Sequence, residues 1–283
     1  MKTAVLVTHT HPDYATDAVA EAARVAREYS VELVASPGEH DKHGEAVTEL
    51  ERVKEMPKRP DVCLVLGGDG SILYALRRFA GSGVPVFGIN FGTVGFLAAV
   101  EREQLGEGLR RAFTGEFEVM EMPGLEAEVE VEEGPPVALN DVSFLRRPEG
   151  RVAELSYRVD EEEVGKVRCD GLVAATPAGS TGYNLANAGP ILAWGVKGYV
   201  VSFIAPHTLT ARALVVAPGD ALHVGNAAGR EPVGISLDGE ASGELEPGNE
   251  VGISFREGVA SLAQLPGANF YHRIREKFGR LAQ

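Results

Sequence analysis

The sequence predicts an α/β plus β-rich protein: an N-terminal doubly wound α/β domain, a C-terminal antiparallel β-sandwich-like domain, and a C-terminal helix that packs back. Three observations carry that expectation. Up to about residue 120, short unbroken apolar runs alternate with amphipathic helical segments, as in a parallel sheet covered on both faces. Beyond it, Leu125, Ala127, Val129 and Val131 alternate with Glu126, Glu128, Glu130 and Glu132, as in a half-exposed antiparallel strand. The tail NFYHRIREKFGRL spaces Phe270, Ile274 and Phe278 by four, one stripe of a packed helix. The implied divisions are 1–120, 121–262 and 263–283, the last returning to the N-terminal domain.

In chain order, Ala4–Val7 reads as a strand, and Tyr14–Ser30 as a helix with Ala18, Ala22, Val25 and Tyr29 on one face. Val31–Ala35 and Val62–Leu66 read as strands flanking a charged helical segment, Gly44–Glu55. A helix over Ser71–Ala80 and a strand over Val84–Asn90 follow. In the second half, alternation recurs at Leu155/Tyr157/Val159 and Val251/Ile253/Phe255, with turn signals such as Glu246-Pro247-Gly248-Asn249 between strands.

The 283 residues carry 27 Lys+Arg against 41 Asp+Glu, a net charge of −14, which argues against a nucleic-acid partner bound through overall charge. With 44% hydrophobic and 24% charged residues, the composition is that of an ordinary globular protein. No stretch approaches a membrane span, and the apolar run near the N-terminus is too short for a signal core, so a cytoplasmic chain without a membrane partner is expected. Cys63 and Cys169 sit singly in apolar settings and read as reduced and buried. The pairs His9/His11 and His40/His43 lack a third ligand, so no protein metal site is expected and the histidines read as solvated loop residues. The 34 glycines show no period, and the question is whether they mark turns or loops that approach a ligand.

Chemistry concentrates in four places. Gly67-Gly68-Asp69-Gly70-Ser71 joins a strand to a helix, where backbone N–H groups converge on phosphate; a plain turn capped by Asp69 or Ser71 is the competing reading. It is neither a GxGxxG fingerprint nor a P-loop. Gly88-Ile89-Asn90-Phe91-Gly92-Thr93-Val94-Gly95-Phe96-Leu97 follows the next strand, so the two loops flank one crevice; Phe96 reads either as a base-stacking ring or as core. Asp170 opens a strand leading to Thr176-Pro177-Ala178-Gly179-Ser180-Thr181-Gly182-Tyr183-Asn184, a polar, uncharged lining for a nucleotide or a buried turn capped by its own hydroxyls. Asn140-Asp141 interrupts the apolar strand VALNDVSFL, an amide and a carboxylate suited to ribose hydroxyls, or a strand end. Segments 70–100 and 171–219 hold none of the 41 acids, a lining that suits phosphate-rich ligands.

GGDG, GINFGTVGFL, the Asn-Asp pair, DGLVAATPAGSTGYNLANAGPI, APHTLTARALVV and ISLDGE come in the order and at roughly the separations of the NAD kinase family, which the chain resembles over residues 60–240. GGDG also occurs in 6-phosphofructokinases and diacylglycerol-type lipid kinases, whereas the TPxGST segment with PHTL and DGE is specific. The resemblance implies a kinase, a transferase that phosphorylates the 2′-hydroxyl of the adenosine ribose of NAD to NADP, using ATP or polyphosphate with Mg2+ or another divalent cation. It implies Asp69 as catalytic base and Gly67, Gly68, Gly70 and Ser71 as phosphate loop. It places Phe96 beside the adenine, Asn140 and Asp141 on the ribose and phosphates, Asp170 on the nicotinamide amide, and Thr181 and Tyr183 on the adenosine. Arg168, Thr176, Gly179, Ser180, Gly182 and Asn184 complete the implied binding set, with Arg212 a candidate for phosphate contact. It also implies a homodimer or homotetramer. Ala178, Gly182, Ala186 and Ala188 depart from the family's usual Thr, Ala, Ser and Gly. A sugar or lipid kinase sharing only the glycine loop, and a non-catalytic NAD(P)-binding sensor, are the alternatives.

Overall fold

The computed structural model describes residues 1–44, 50–93, 95–131, 134–227 and 231–279. The chain divides into two units, Met1–Glu121 with Ala260–Gln283, and Met122–Val259.

The first unit runs β1 (Thr3–Thr8), α1 (Thr16–Glu28), β2 (Glu32–Ala35), α2 (Pro37–His43), β3 (Glu51–Arg52), β4 (Val62–Gly67), α3 (Asp69–Arg78), β5 (Pro85–Asn90), β6 (Val100–Glu101) and α4 (Leu105–Thr114). Its strands are parallel in the order β3-β2-β1-β4-β5, with β6 also on β5. Phe87 and Ile89 of β5 join Leu6, Leu64 and Leu66 in one core with Val19 of α1 and Leu109 and Phe113 of α4. Gly88 faces the other way, and a Cβ there would lie 2.4 Å from Ile72 Cδ1 of α3. Helices therefore cover both faces, which is why β4 is buried throughout and its sequence is an unbroken apolar run.

Of the helical segment expected over Gly44–Glu55, residues 45–49 lie outside the described residues and Glu51–Arg52 form the strand β3, while α2 lies upstream. Pro37 occupies its first turn and the Ser36 side chain accepts from Glu39 N at 3.3 Å, a start signal stronger than the downstream charge pattern. This helix also removes His43 from the solvated histidines: it is buried, with Nε2 2.7 Å from Thr8 Oγ1 and Nδ1 3.1 Å from Thr16 Oγ1.

The second unit continues with β7 (Glu118–Ala127), β8 (Val137–Ala138), β9 (Asp141–Arg146), β10 (Ala153–Val159), β11 (Glu162–Cys169), β12 (Gly171–Ala175), α5 (Tyr183–Ala186), β13 (Tyr199–Ile204), β14 (Leu214–Val216), β15 (Leu222–Asn226), β16 (Val233–Leu237), β17 (Glu240–Leu245) and β18 (Glu250–Gln264). One antiparallel sheet has the order β14-β13-β12-β9-β16-β17; the other contains β11-β10-β15-β18. Phe144, Leu172, Tyr199 and Leu237 from the first sheet share a core with Leu155, Val167, Val224 and Ile253 from the second, which makes the unit a sandwich. The alternating run expected as a strand over 125–132 leaves the strand at Ala127, where Glu128 N still bonds Gly252 O at 2.9 Å; Glu132 lies outside the described residues. Cys63 and Cys169 are free and buried, and burial pushes the Cys169 thiol up to about 11.

The chain returns to the first unit through the end of β18, where Ser261 and Leu262 pair in parallel with Pro85 and Val86, and then through α6 (Phe270–Phe278). Asn269 caps α6 by accepting from Tyr271 N at 2.8 Å, and Ile274 is its buried residue.

Just after α5, Ala188 has φ +57°, the left-handed conformation that costs an alanine roughly 1–2 kcal/mol. Ala188→Gly is expected to raise the melting temperature by about 2–4 °C in a thermal unfolding scan; an unchanged or lower midpoint would show that the position stores no strain.

Candidate active site

In the first unit, α3 begins at Asp69 because Gly68 takes an extended N-cap conformation with no side-chain cap. Neither Asp69 nor Ser71 caps the helix, which corrects that reading of the turn. The Asp69 carboxylate instead accepts from Phe96 N and Leu97 N, both at 3.0 Å. The two glycine loops are adjacent: Phe91 N bonds Gly67 O at 3.1 Å, and a Cβ on Gly92 would press on Gly68 Cα at 3.0 Å. Burial raises the Asp69 pKa, opposed by the two amides and by the positive charges of Arg273 and Lys277. Phe96 is 7% exposed and packs on the Phe278 ring with centroids 5.3 Å apart, so it is core on at least one face. Val94 lies outside the described residues.

In the second unit, Asn140 is not inside a strand. It lies in a bend between β8 and β9, so VALNDVSFL is two strands rather than one, and Asp141 stands at the strand end. The bend is held by Asp238, whose carboxylate accepts from Leu139 N (2.9 Å), Asn140 N (2.6 Å) and Asp141 N (3.1 Å). Sequence reasoning gave Asp238 no role, although ISLDGE marks it and its φ of +52° suits an Asp in a tight turn.

The hydroxyl-rich turn packs onto the same bend. Thr176 Oγ1 donates to Leu139 O at 2.6 Å and accepts from Gly179 N, and Thr176 N bonds Asn140 O. A Cβ on Gly179 would lie 2.0 Å from Asn140 O, so only glycine permits this approach. Ser180 Oγ donates to Pro177 O at 2.7 Å, Thr181 Oγ1 donates to Ala178 O at 3.1 Å, and Asn184 Nδ2 donates to Ser180 O at 2.9 Å. These side chains build the turn. Tyr183 is 38% exposed, and its hydroxyl pKa is raised by burial and by the charges of Asp141 and Asp170. Gly182, at the start of α5, is exposed.

Asp170 pairs with Arg146 Nε at 2.6 Å. Arg168, two residues earlier, is exposed and lines a cleft of about 240 Å3 with Arg146, Arg147, Arg151 and Asn226. Arg212 donates to Leu209 O and Ala211 O of its own loop. Among the described residues no three His, Cys, Asp or Glu side chains converge as a metal site would require.

Asp141 is the group under most tension: it is 8% exposed, and desolvation and the neighbouring Asp238 push its pKa up to about 7. The folded chain thus keeps this proton in a range where the unfolded chain, with the ordinary carboxyl value of 3.8, has released it. The folded state binds more protons between those values, so this group's contribution to stability falls as pH rises from roughly 4 to 7. Asp141→Asn is expected to be more stable than the parent at pH 8, with the difference shrinking toward pH 5. Paired thermal melts at both pH values check this, and equal differences at the two would refute it.

The family model described as ATP-NAD kinase N-terminal domain matches residues 6–117, and the one described as ATP-NAD kinase C-terminal domain matches residues 139–264. An NAD kinase of Symbiobacterium thermophilum is 40% identical over 221 residues, covering 77% of this chain and 78% of that one. Among solved structures, an NAD kinase from Archaeoglobus fulgidus in complex with ATP aligns with a TM-score of 0.73 and 25% identity over 99% of this chain and 98% of that one. Yeast NADH kinase complexed with NADH aligns with a TM-score of 0.84 over 100% of this chain and 90% of that one, a likeness of fold at 20% identity.

Proposed function

Because the chain belongs to the NAD kinase family, we propose that it transfers the γ-phosphoryl group of ATP to the 2′-hydroxyl of the adenosine ribose of NAD. The observation that carries this reading is the Asp69 carboxylate, fixed at the mouth of a glycine loop by two backbone amides and surrounded by an acid-free stretch of chain.

In this reading Gly67, Gly68, Gly70 and Ser71 present the start of α3 to the donor phosphates, where N–H groups and the helix dipole favour negative charge. Asp69 accepts the proton of the 2′-hydroxyl as its oxygen attacks the γ-phosphorus. The bond from that phosphorus to the bridging oxygen breaks, and ADP leaves with the electron pair. Raised by burial, the Asp69 carboxyl is a better proton acceptor than an exposed one. Asn140 and Asp141, on a bend immobilised by Asp238, hold the ribose, with Asp170, Arg168, Thr181, Gly182 and Tyr183 along the rest of the dinucleotide. Thr176, Gly179, Ser180 and Asn184 keep that lining in shape, and Phe96 offers a ring edge to the adenine.

A divalent cation bound with ATP would neutralise charge on the donor phosphates, and Asp69 is the carboxylate of the glycine loop that could help hold it. We further assign the chain to the cytoplasm and to a homo-oligomer; no helix among the described residues is long and apolar enough to cross a membrane.

The test is a coupled assay: incubation with NAD, ATP and Mg2+, then detection of NADP by an NADP-specific dehydrogenase, repeated with polyphosphate as donor and NADH as acceptor. NADP formation is expected, and tight NAD binding without NADP would favour a sensor. Asp69→Asn is expected to lower kcat by about 10²–10⁴ while NAD binding survives. The asparagine keeps one acceptor for the two amides, so it also costs about 1–3 kcal/mol of stability. A variant turning over at the parental rate would exclude Asp69 as the base.

A further inference from the structure

The peptide from Phe96 to Ala98 is gripped from two sides. Its amides at Phe96 and Leu97 are taken by Asp69, each at 3.0 Å. Its carbonyls are taken from the C-terminal segment: Arg273 Nη1 donates to Phe96 O at 2.5 Å and to Ala98 O at 2.6 Å, and Gln264 Nε2 donates to Leu97 O at 2.9 Å. Arg273 Nη2 in turn donates to Gln264 Oε1, so the two donors are locked to each other. Further along α6, Phe278 lies against the Phe96 ring, and Lys277 pairs with Glu101 at 3.0 Å. Glu101 accepts from Asn90, which accepts from Gly92 N. Every polar backbone atom of Phe96 and Leu97 is thus fixed by a side chain, with Asp69 at one end of the chain of contacts and Arg273 at the other.

We propose that Arg273 is a positioning residue for Asp69, which it holds through the peptide Phe96–Ala98, so that α6 sets the geometry of phosphoryl transfer. The proposal rests on the reading of Asp69 as the base of an NAD kinase. A carboxylate that accepts two successive amides follows those amides when they move. Arg273 determines where they are, because Nη1 takes both carbonyls while Nη2 is anchored on Gln264 Oε1, and a lysine's ammonium has no second, planar arm to be held in that way. A displacement of about 1 Å at the reacting centre costs on the order of 10²-fold in rate.

Charge gives a second, separable signature. Arg273 and Lys277 on α6 are the cations acting on Asp69, with Glu101 and Glu276 the acids that partly offset Arg273. Removing the Arg273 charge leaves burial less opposed, so the Asp69 pKa rises. The base is active deprotonated, so the acid limb of the kcat–pH profile moves to higher pH.

Arg273→Lys and Arg273→Met test this, with kcat and the KM for NAD and ATP measured against pH, alongside NAD titration and thermal melts. For Arg273→Lys the expected result is a kcat lower by about tenfold to hundredfold with KM for NAD within about threefold and the acid limb in place. For Arg273→Met the same loss is expected together with an acid limb at higher pH. If Arg273→Met does not fold, Arg273→Lys decides alone. A kcat for Arg273→Lys within about twofold of the parent, or a loss no larger than the loss of NAD-binding protein, would overturn the proposal. A parent chain that makes no NADP would overturn the proposed function and this proposal with it, a result distinct from an active parent with an equally active Arg273→Lys.

Discussion

A carboxylate accepting successive backbone N–H groups is the interaction on which both halves of the molecule depend. Asp69 takes two amides of the loop after β5, and Asp238 takes three across the bend before β9. In each case one side chain satisfies donors that no strand or helix would pair, and fixes a loop that would otherwise sample many conformations. Charge-assisted bonds of this kind are roughly twice as strong as neutral ones, and here they act on backbone, so the whole local path of the chain is set. The glycines at 92 and 179 then read as consequences. A Cβ would come within 3.0 Å of other backbone at Gly92 and within 2.0 Å at Gly179.

The same arrangement carries a cost that lands on Asp141. Asp238 holds three amides, yet its charge opposes ionisation of Asp141, the buried neighbour whose own amide it accepts. The fold therefore tolerates a carboxyl it would be more stable without. Such a conflict fits the role proposed for Asp141 on the ribose, since packing alone is served better by an amide or an apolar side chain.

The periodicities disclosed the architecture because both rest on burial. Unbroken runs such as Val62–Leu66 reflect a sheet covered on two faces, and the spacing of Phe270 and Ile274 reflects a helix with one packed side. The glycine loops were legible for the same reason that they are constrained. What periodicity could not reveal was decided by single contacts at long range. Asp238 reaches a bend about a hundred residues upstream, and Arg273 reaches carbonyls nearly two hundred residues away; neither leaves a local pattern. The α2 start at Ser36-Pro37 was visible in the sequence, but a longer charged run beside it outweighed two capping residues. Asn140 looked like a strand residue because the run around it is apolar, and only the three amides captured by Asp238 bend the chain there.

The first unit is discontinuous, its two segments separated by the whole of the second, and β5 receives part of its edge pairing from Ser261 and Leu262. During synthesis from the N-terminus, the parallel sheet therefore emerges with a stretch of unpaired edge at Pro85–Val86. It keeps that edge until Ser261 and Leu262 have left the ribosome. The sandwich, contiguous in sequence, can complete its core earlier. The nascent chain thus passes through a stage in which its later-made half is finished and its first-made half is not. The loop that bears on Asp69 acquires its fastening from α6 only after the sandwich has been made, and a chain that stopped short of α6 would be a sandwich attached to an unfinished kinase.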